Sequence, residues 1–183
     1  KEYSEIMNIF YGVYVSEIKS IKGKIYTRKP EYYCTIDLPI NEKTSNIYDC
    51  LDLFTADEEI SDYKNEKTNK TENVYKNIKF WDFPKILIIC LKRYTNSGTK
   101  KNKIIECHET IDLTRYLNGY SCNNIYELYA VCNHFGNVLG GHYTCYIKRN
   151  NVWFNINDEK INILKDPLIS SKSYCLFYRK KNS

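Results

Sequence analysis

Residues 126–143 read YELYAVCNHFGNVLGGHY. The stretch opens in alternation: Leu128, Ala130 and Cys132 fall on one side of an extended chain, and Glu127, Tyr129 and Val131 on the other, the two-residue period of a strand. Gly136, Gly140 and Gly141 then crowd into six positions, where the backbone can reach positive φ or approach another chain closely. The reading is a strand followed by a tight, ligand-sized loop. His142 comes next and heads a second apolar run, Tyr143 to Ile147, which places an imidazole at the mouth of a strand beside that loop. Such a position, on a rigid element beside a glycine turn, suits a catalytic side chain. Taken alone, His142 is a general-base candidate or a satisfied structural histidine.

On either side of this stretch the chain supplies mostly strands. Ile6, Ile9 and Phe10 form an apolar cluster stopped by Gly12, and Val13 to Ile25 alternates loosely around Gly23 as a lysine-bearing hairpin. Glu31 to Ile40 reads as one strand ending at Pro39. Ile47, Cys50, Leu51 and Phe54 recur at helical spacing behind the cap candidates Thr44 and Ser45, with Asp49 in the first turn; one amphipathic helix of about three turns is expected. Asp62 to Lys76 is too polar to bury a face and reads as a loop or a mobile hairpin tip. The unbroken run ILIICL within Ile78 to Tyr94 predicts a strand covered on both faces, at the centre of the sheet. A flexible loop over Asn96 to Lys103, a short strand at Ile104 and Ile105, and one helical turn over Leu113 to Leu117 follow. Strands are then expected at Trp153 to Ile156, around Ile161 and Ile163, and at Tyr174 to Tyr178. Nothing repeats, and no linker divides the chain.

The 183 residues, 43% hydrophobic and 27% charged, suffice for one domain with a core. No run of eighteen apolar residues and no signal peptide at Lys1 are present, so neither membrane spanning nor secretion is indicated. The net charge of +5 rests on lysine, a solvated point charge, whereas base readers and phosphate clamps favour arginine. A lysine-coated surface is therefore the reading, and no nucleic-acid partner is expected. The eight cysteines include Cys34, Cys90, Cys132, Cys145 and Cys175 in apolar, strand-like runs, where thiols pack as small hydrophobes. No C-x-x-C occurs, and reduced thiols in a cytoplasmic or nuclear protein are expected.

Tyr126, Leu128 and Ala130 at alternate positions, then His134, Gly136 and Gly141-His142-Tyr143, resemble the histidine box of the ubiquitin-specific proteases. The resemblance runs through nearly all of the chain in the family's order. Phe10-Tyr11-Gly12 with Ser16 and Ile18 is similar to the entry to the fingers, and Asp37-Leu38-Pro39-Ile40 and the helix through Cys50 and Leu51 follow. PKILIICLKRY at Pro84 to Tyr94 resembles the central strand motif, and YCLFY at Tyr174 to Tyr178 the last strand. The implied fold is α+β and papain-like: a mainly antiparallel β palm and fingers with one clear helix, and no helical thumb. Residues 1–183 would be part of a catalytic domain.

WFNIND at Trp153 to Asp158 resembles the segment that supplies the third catalytic residue. Asn157 then takes the position that is Asp or Asn in active members, and Asp158 the neighbouring acidic one; without the histidine box, Asn-Asp reads equally as a turn. The resemblance implies a thiol-dependent hydrolase that cuts the peptide or isopeptide bond after ubiquitin's C-terminal glycine. His142, Asn157 and Asp158 would be catalytic, and Gly140, Gly141, Tyr143 and His134 would hold the ubiquitin tail. The loops Asn96 to Lys103 and Asn133 to Gly141 resemble those bordering the tail's entry.

Two departures stand out. The family's nucleophilic cysteine box has no counterpart here: Cys50 falls inside the helix, and Cys145 follows the histidine along one strand. It is expected before Lys1, on a thumb segment of the same protein, leaving this chain inactive alone with a bare apolar palm face prone to association. The family's two C-x-x-C pairs are also missing near Lys19 and Lys22 and in Asp62 to Lys70, so no metal or other cofactor is expected. Ubiquitin and ubiquitinated proteins are the implied partners; a non-catalytic ubiquitin-binding module is the alternative.

Overall fold

The structure, a computed structural model, describes residues 4–66, 68–120 and 123–181. Expectations touching residues 1–3, Lys67 and Cys122 lie outside those residues. A short helix, α1 (Glu5–Phe10), is capped by Ser4, whose hydroxyl accepts from the Met7 amide. The expected hairpin follows as β1 (Gly12–Ser20) and β2 (Ile25–Tyr33), paired antiparallel. The single strand expected over Glu31 to Ile40 is two. Tyr33 closes β2, the chain bends at Cys34, and β3 (Thr35–Pro39) enters a different sheet.

The helix α2 (Ile47–Thr55) buries Ile47, Cys50 and Leu51, and its cap is Asn46 rather than Thr44 or Ser45. The Asn46 side-chain oxygen accepts from the Tyr48 and Asp49 amides at 2.8 and 3.0 Å, while the Asp49 carboxylate accepts from the Asn46 amide at 3.2 Å. This reciprocal pair satisfies amides that the first turn leaves unbonded. Ser45 contributes by donating its hydroxyl and amide to the same carboxylate, which holds Asp49 below the usual carboxylate range.

The polar segment, read as a loop or a mobile hairpin tip, is the end of a hairpin whose backbone is paired well beyond its turn. β4 (Glu58–Asn65) and β5 (Lys70–Asp82) run antiparallel, and β5 joins β1, giving a four-stranded sheet in the order β2-β1-β5-β4. Main-chain hydrogen bonds need no apolar face, and most β4 side chains stay exposed. The ladder with β1 therefore orders a sequence that periodicity leaves as loop.

The second sheet has the order β11-β10-β9-β8-β12-β6-β3, with β7 (Thr110–Asp112) also on β8. Its members are β6 (Ile86–Lys92), β8 (Ile125–Asn137), β9 (Gly140–Arg149), β10 (Val152–Asn157), β11 (Lys160–Ile163) and β12 (Ser173–Lys180). All pairs are antiparallel except β3 with β6. The ILIICL strand, β6, lies beside the edge strand β3, and the centre belongs to β8. Nor is β6 covered equally on both faces: Leu87, Ile89 and Leu91 are buried while Ile86, Ile88 and Cys90 are half-buried. The alternation exists in burial but is invisible in residue type, because the less covered face is apolar too.

Ile104 and Ile105 form no strand; Ile105 is buried, Ile104 is exposed, and Glu106 makes one bridge to Asn46. The helical turn expected near Leu113 is a 3-10 turn over Thr114–Tyr116. One core collects Ile36 and Leu38 of β3, Leu51 of α2, Leu87, Ile89 and Leu91 of β6, Leu128 and Val131 of β8, and Leu176 and Tyr178 of β12. Each fully buried aliphatic side chain contributes roughly 1.5–3 kcal/mol. Among the described residues the architecture is a mixed α+β fold dominated by antiparallel sheet with one substantial helix, the papain-like protease arrangement without a helical thumb. Among the described residues, no helix is long and apolar enough to cross a membrane.

Candidate active site

The glycine segment expected as a ligand-sized loop is a hairpin. β8 runs to Asn137, β9 begins at Gly140, and only Val138 and Leu139 lie between them. Gly136 faces Gly141 and Asn137 faces Gly140 in register. Gly136 adopts φ of +112°, a conformation that L side chains avoid. At Gly141 a Cβ would strike the Phe135 carbonyl oxygen and the His134 ring. The glycines thus permit a tight strand end rather than an open loop.

His142 sits opposite Phe135 on β9, and Asn157 ends β10, the next strand over. Both side chains project to the same side of the sheet, and His142 Nε2 lies 2.6 Å from Asn157 Oδ1. Since the carboxamide oxygen only accepts, the ring N–H on Nε2 donates to it, and Nδ1 keeps its lone pair. Both residues are exposed, so the free nitrogen can meet an incoming group. Asp158 turns the chain between β10 and β11 with φ of +51°. Among the described residues no hydrogen bond joins it to His142. Asn157 thus contacts His142 while Asp158 makes the turn.

His134 and Tyr143 occupy the opposite side of the same hairpin. They face each other across β8 and β9 with ring centroids 4.6 Å apart. His134 is only 4% exposed, whereas Tyr143 is 55% exposed. The Tyr94 hydroxyl lies 2.8 Å from His134 Nδ1, and the Lys100 ammonium donates to the His134 carbonyl at 2.7 Å and the Gly136 carbonyl at 3.3 Å. Burial, then the nearby Lys100 charge, holds the His134 imidazolium below its ordinary pKa. Gly140 is exposed, with no atom within 4 Å of where a Cβ would stand.

Sequence reasoning passed over several residues here. Arg93, fully buried, donates to the carbonyls of Ser173 at 2.6 Å, Lys101 at 3.1 Å and Lys103 at 2.7 Å. It pins the loop after β6 to β12, two strands from the histidine pair. Lys100 and Tyr94 brace the hairpin from that loop, and Tyr174 adds a ring 5.9 Å from His134. Beneath His142 and Asn157, on their side of the sheet, Asn133, Thr144 and Asn155 each carry a buried polar atom with no hydrogen-bond partner. A polar residue at an inward strand position was the available signal for all three. Cys145, three residues on from His142, faces Cys132 across the other surface of the sheet, and Cys175 and Cys90 lie on that same surface.

Arranged so, the site can take a proton on His142 Nδ1 and hold the resulting imidazolium through Asn157. Among the described residues, no hydrogen bond joins a cysteine thiol to His142 or Asn157.

The model for ubiquitin carboxyl-terminal hydrolase matches residues 1–178. Ubiquitin carboxyl-terminal hydrolase 9 of Arabidopsis thaliana is 34% identical over 80% of this chain and 19% of its own length. Ubiquitin carboxyl-terminal hydrolase 21 of Homo sapiens is 29% identical over 98% of this chain and 34% of its own length. Among solved structures, the SAGA Ubp8/Sgf11/Sus1/Sgf73 DUB module bound to ubiquitin aldehyde contains a similar chain. It superposes with a TM-score of 0.82 at 25% identity, covering 97% of this chain and 42% of that one. The chain thus spans 19% and 34% of the length of these two relatives and 42% of the solved chain.

Proposed function

The chain belongs to the ubiquitin carboxyl-terminal hydrolase family, and from that premise we propose that it is the fingers-and-palm part of a thiol-dependent deubiquitinase catalytic domain. The observation that carries the reading is the 2.6 Å contact between His142 Nε2 and Asn157 Oδ1. It presents Nδ1 as a base and fixes the ring for it, the relation a cysteine hydrolase needs between imidazole and orienter. The thiol comes from polypeptide outside these residues. Once deprotonated by His142, it attacks the carbonyl carbon of ubiquitin's last glycine. The imidazolium then gives its proton to the leaving lysine amine, and water, activated by the same ring, releases the acyl group. Asp158 supports this pair only through the turn it makes after Asn157.

Ubiquitin's narrow Gly-Gly tail lies along the exposed Gly140 and Gly141, with Tyr143 lining the channel. His134 acts from beneath, holding Tyr143 and the hairpin in place. Ubiquitin and ubiquitinated proteins are the partners, and half-buried reduced thiols fit a cytoplasmic or nuclear setting. In the full-length protein, His142→Ala should abolish covalent labelling by ubiquitin bearing a C-terminal electrophile. Labelling that persists at the wild-type rate overturns the assignment.

A further inference from the structure

Four cysteines stand in one row across four adjacent strands. Cys90 of β6 faces Cys175 of β12, Cys175 faces Cys132 of β8, and Cys132 faces Cys145 of β9. Directly opposed residues of antiparallel strands project to the same side, so the thiols share the sheet face opposite the buried Ile89 and Leu176. All four are half-buried, within reach of a small solute. In one pair the sulfurs touch: Cys90 Sγ and Cys175 Sγ are 2.9 Å apart.

We propose that Cys90 and Cys175 are a redox-active thiol pair that hydroperoxides convert into a disulfide between β6 and β12. Opposed residues of antiparallel strands hold their Cα atoms about 4.5–5.5 Å apart, inside the roughly 4.4–6.8 Å range that a disulfide spans. The bond therefore forms without moving a strand. The hydrogen bond shared by the two thiols separates the roles: it lowers the Cys90 pKa and raises that of Cys175. Cys90 is the thiolate that attacks. Its sulfur takes one peroxide oxygen, the O–O bond breaks, and the departing hydroxide collects the thiol proton as water. The Cys175 sulfur then attacks the Cys90 sulfenic acid; the S–S bond forms, the S–O bond breaks, and a second water leaves with the Cys175 proton. Two thiols lose two electrons, and one peroxide gains them.

The consequence is local to the site's support. β12 lies between β6 and β8, so the bond ties the central strand's neighbour to β6. It also closes a loop, between positions 85 apart, that contains the whole β8–β9 hairpin. The inference does not depend on deubiquitinase activity.

The test is to reduce the purified protein, add one equivalent of hydrogen peroxide, alkylate, and digest with trypsin without reductant. Peptides Ile86–Lys92 and Ser173–Arg179 should appear linked and separate on reduction. The thermal midpoint of the oxidised protein should rise by at least about 5 °C. In C175S, a cyclic 1,3-diketone should trap a sulfenic acid on Cys90, with no linkage and no midpoint shift. Linkage of Cys175 to the Cys132 peptide, or both thiols remaining alkylatable in folded, peroxide-treated protein, overturns the proposal.

Discussion

Two histidines eight positions apart on one hairpin, His134 and His142, have opposite fates. His142 reaches solvent and gives one nitrogen to Asn157, while His134 is buried under Tyr94, Tyr143 and Lys100. Because burial and Lys100 keep the His134 pKa below its ordinary 6.5, the unfolded chain binds this proton more readily than the folded one. Stability from this group is complete above about pH 6.5 and is lost as pH falls toward the folded pKa. Urea midpoints at pH 7.5 and 5.5 should therefore fall with acidification. His134→Gln should flatten that difference while lowering stability at both values. An unchanged slope means that another group carries it. Both histidines were legible in the sequence as members of one motif. Which of them is buried was not, because neighbours from the loop after β6 decide it.

The β8–β9 hairpin depends on individual glycines to unequal degrees. A Cβ at Gly141 would meet the Phe135 backbone and the His134 ring, whereas one at Gly140 would meet open space. Gly141→Ala should cost about 1–3 kcal/mol by forcing these strands apart. Gly140→Ala should stay within about 0.5 kcal/mol. Chemical denaturation of both variants checks the contrast, and equal losses would mean that the space beside Gly141 relaxes. Element boundaries followed local signals where those exist. Ile47, Cys50 and Leu51 announced α2, but its cap moved to Asn46 since that side chain alone reaches both the Tyr48 and Asp49 amides. No local signal marked β4 and β5, whose ordering comes from pairing with each other and with β1.

For the whole molecule, β12 is the joint: it pairs with β6 on one side and β8 on the other, and Leu176 and Tyr178 fill the core between them. Leu176→Ala should cost about 2–5 kcal/mol, measured by equilibrium unfolding, and its loss should be felt equally by probes in β6 and β8. A loss confined to one side would mean that the two halves of the sheet unfold separately. The family resemblance of the surrounding motifs implied Asn157 as the partner of His142, whereas alternation and glycine placement along Tyr126 to Tyr143 determined on their own that this stretch is strand and that His142 lies close to the start of the next one. Those are local properties, set by the two-residue period and by what glycine permits. The tertiary structure alone decided that β8, not β6, is central, that a polar segment is sheet, and that Cys90 touches Cys175. Each of these depends on which strands become neighbours, and main-chain pairing between distant segments carries no period of its own.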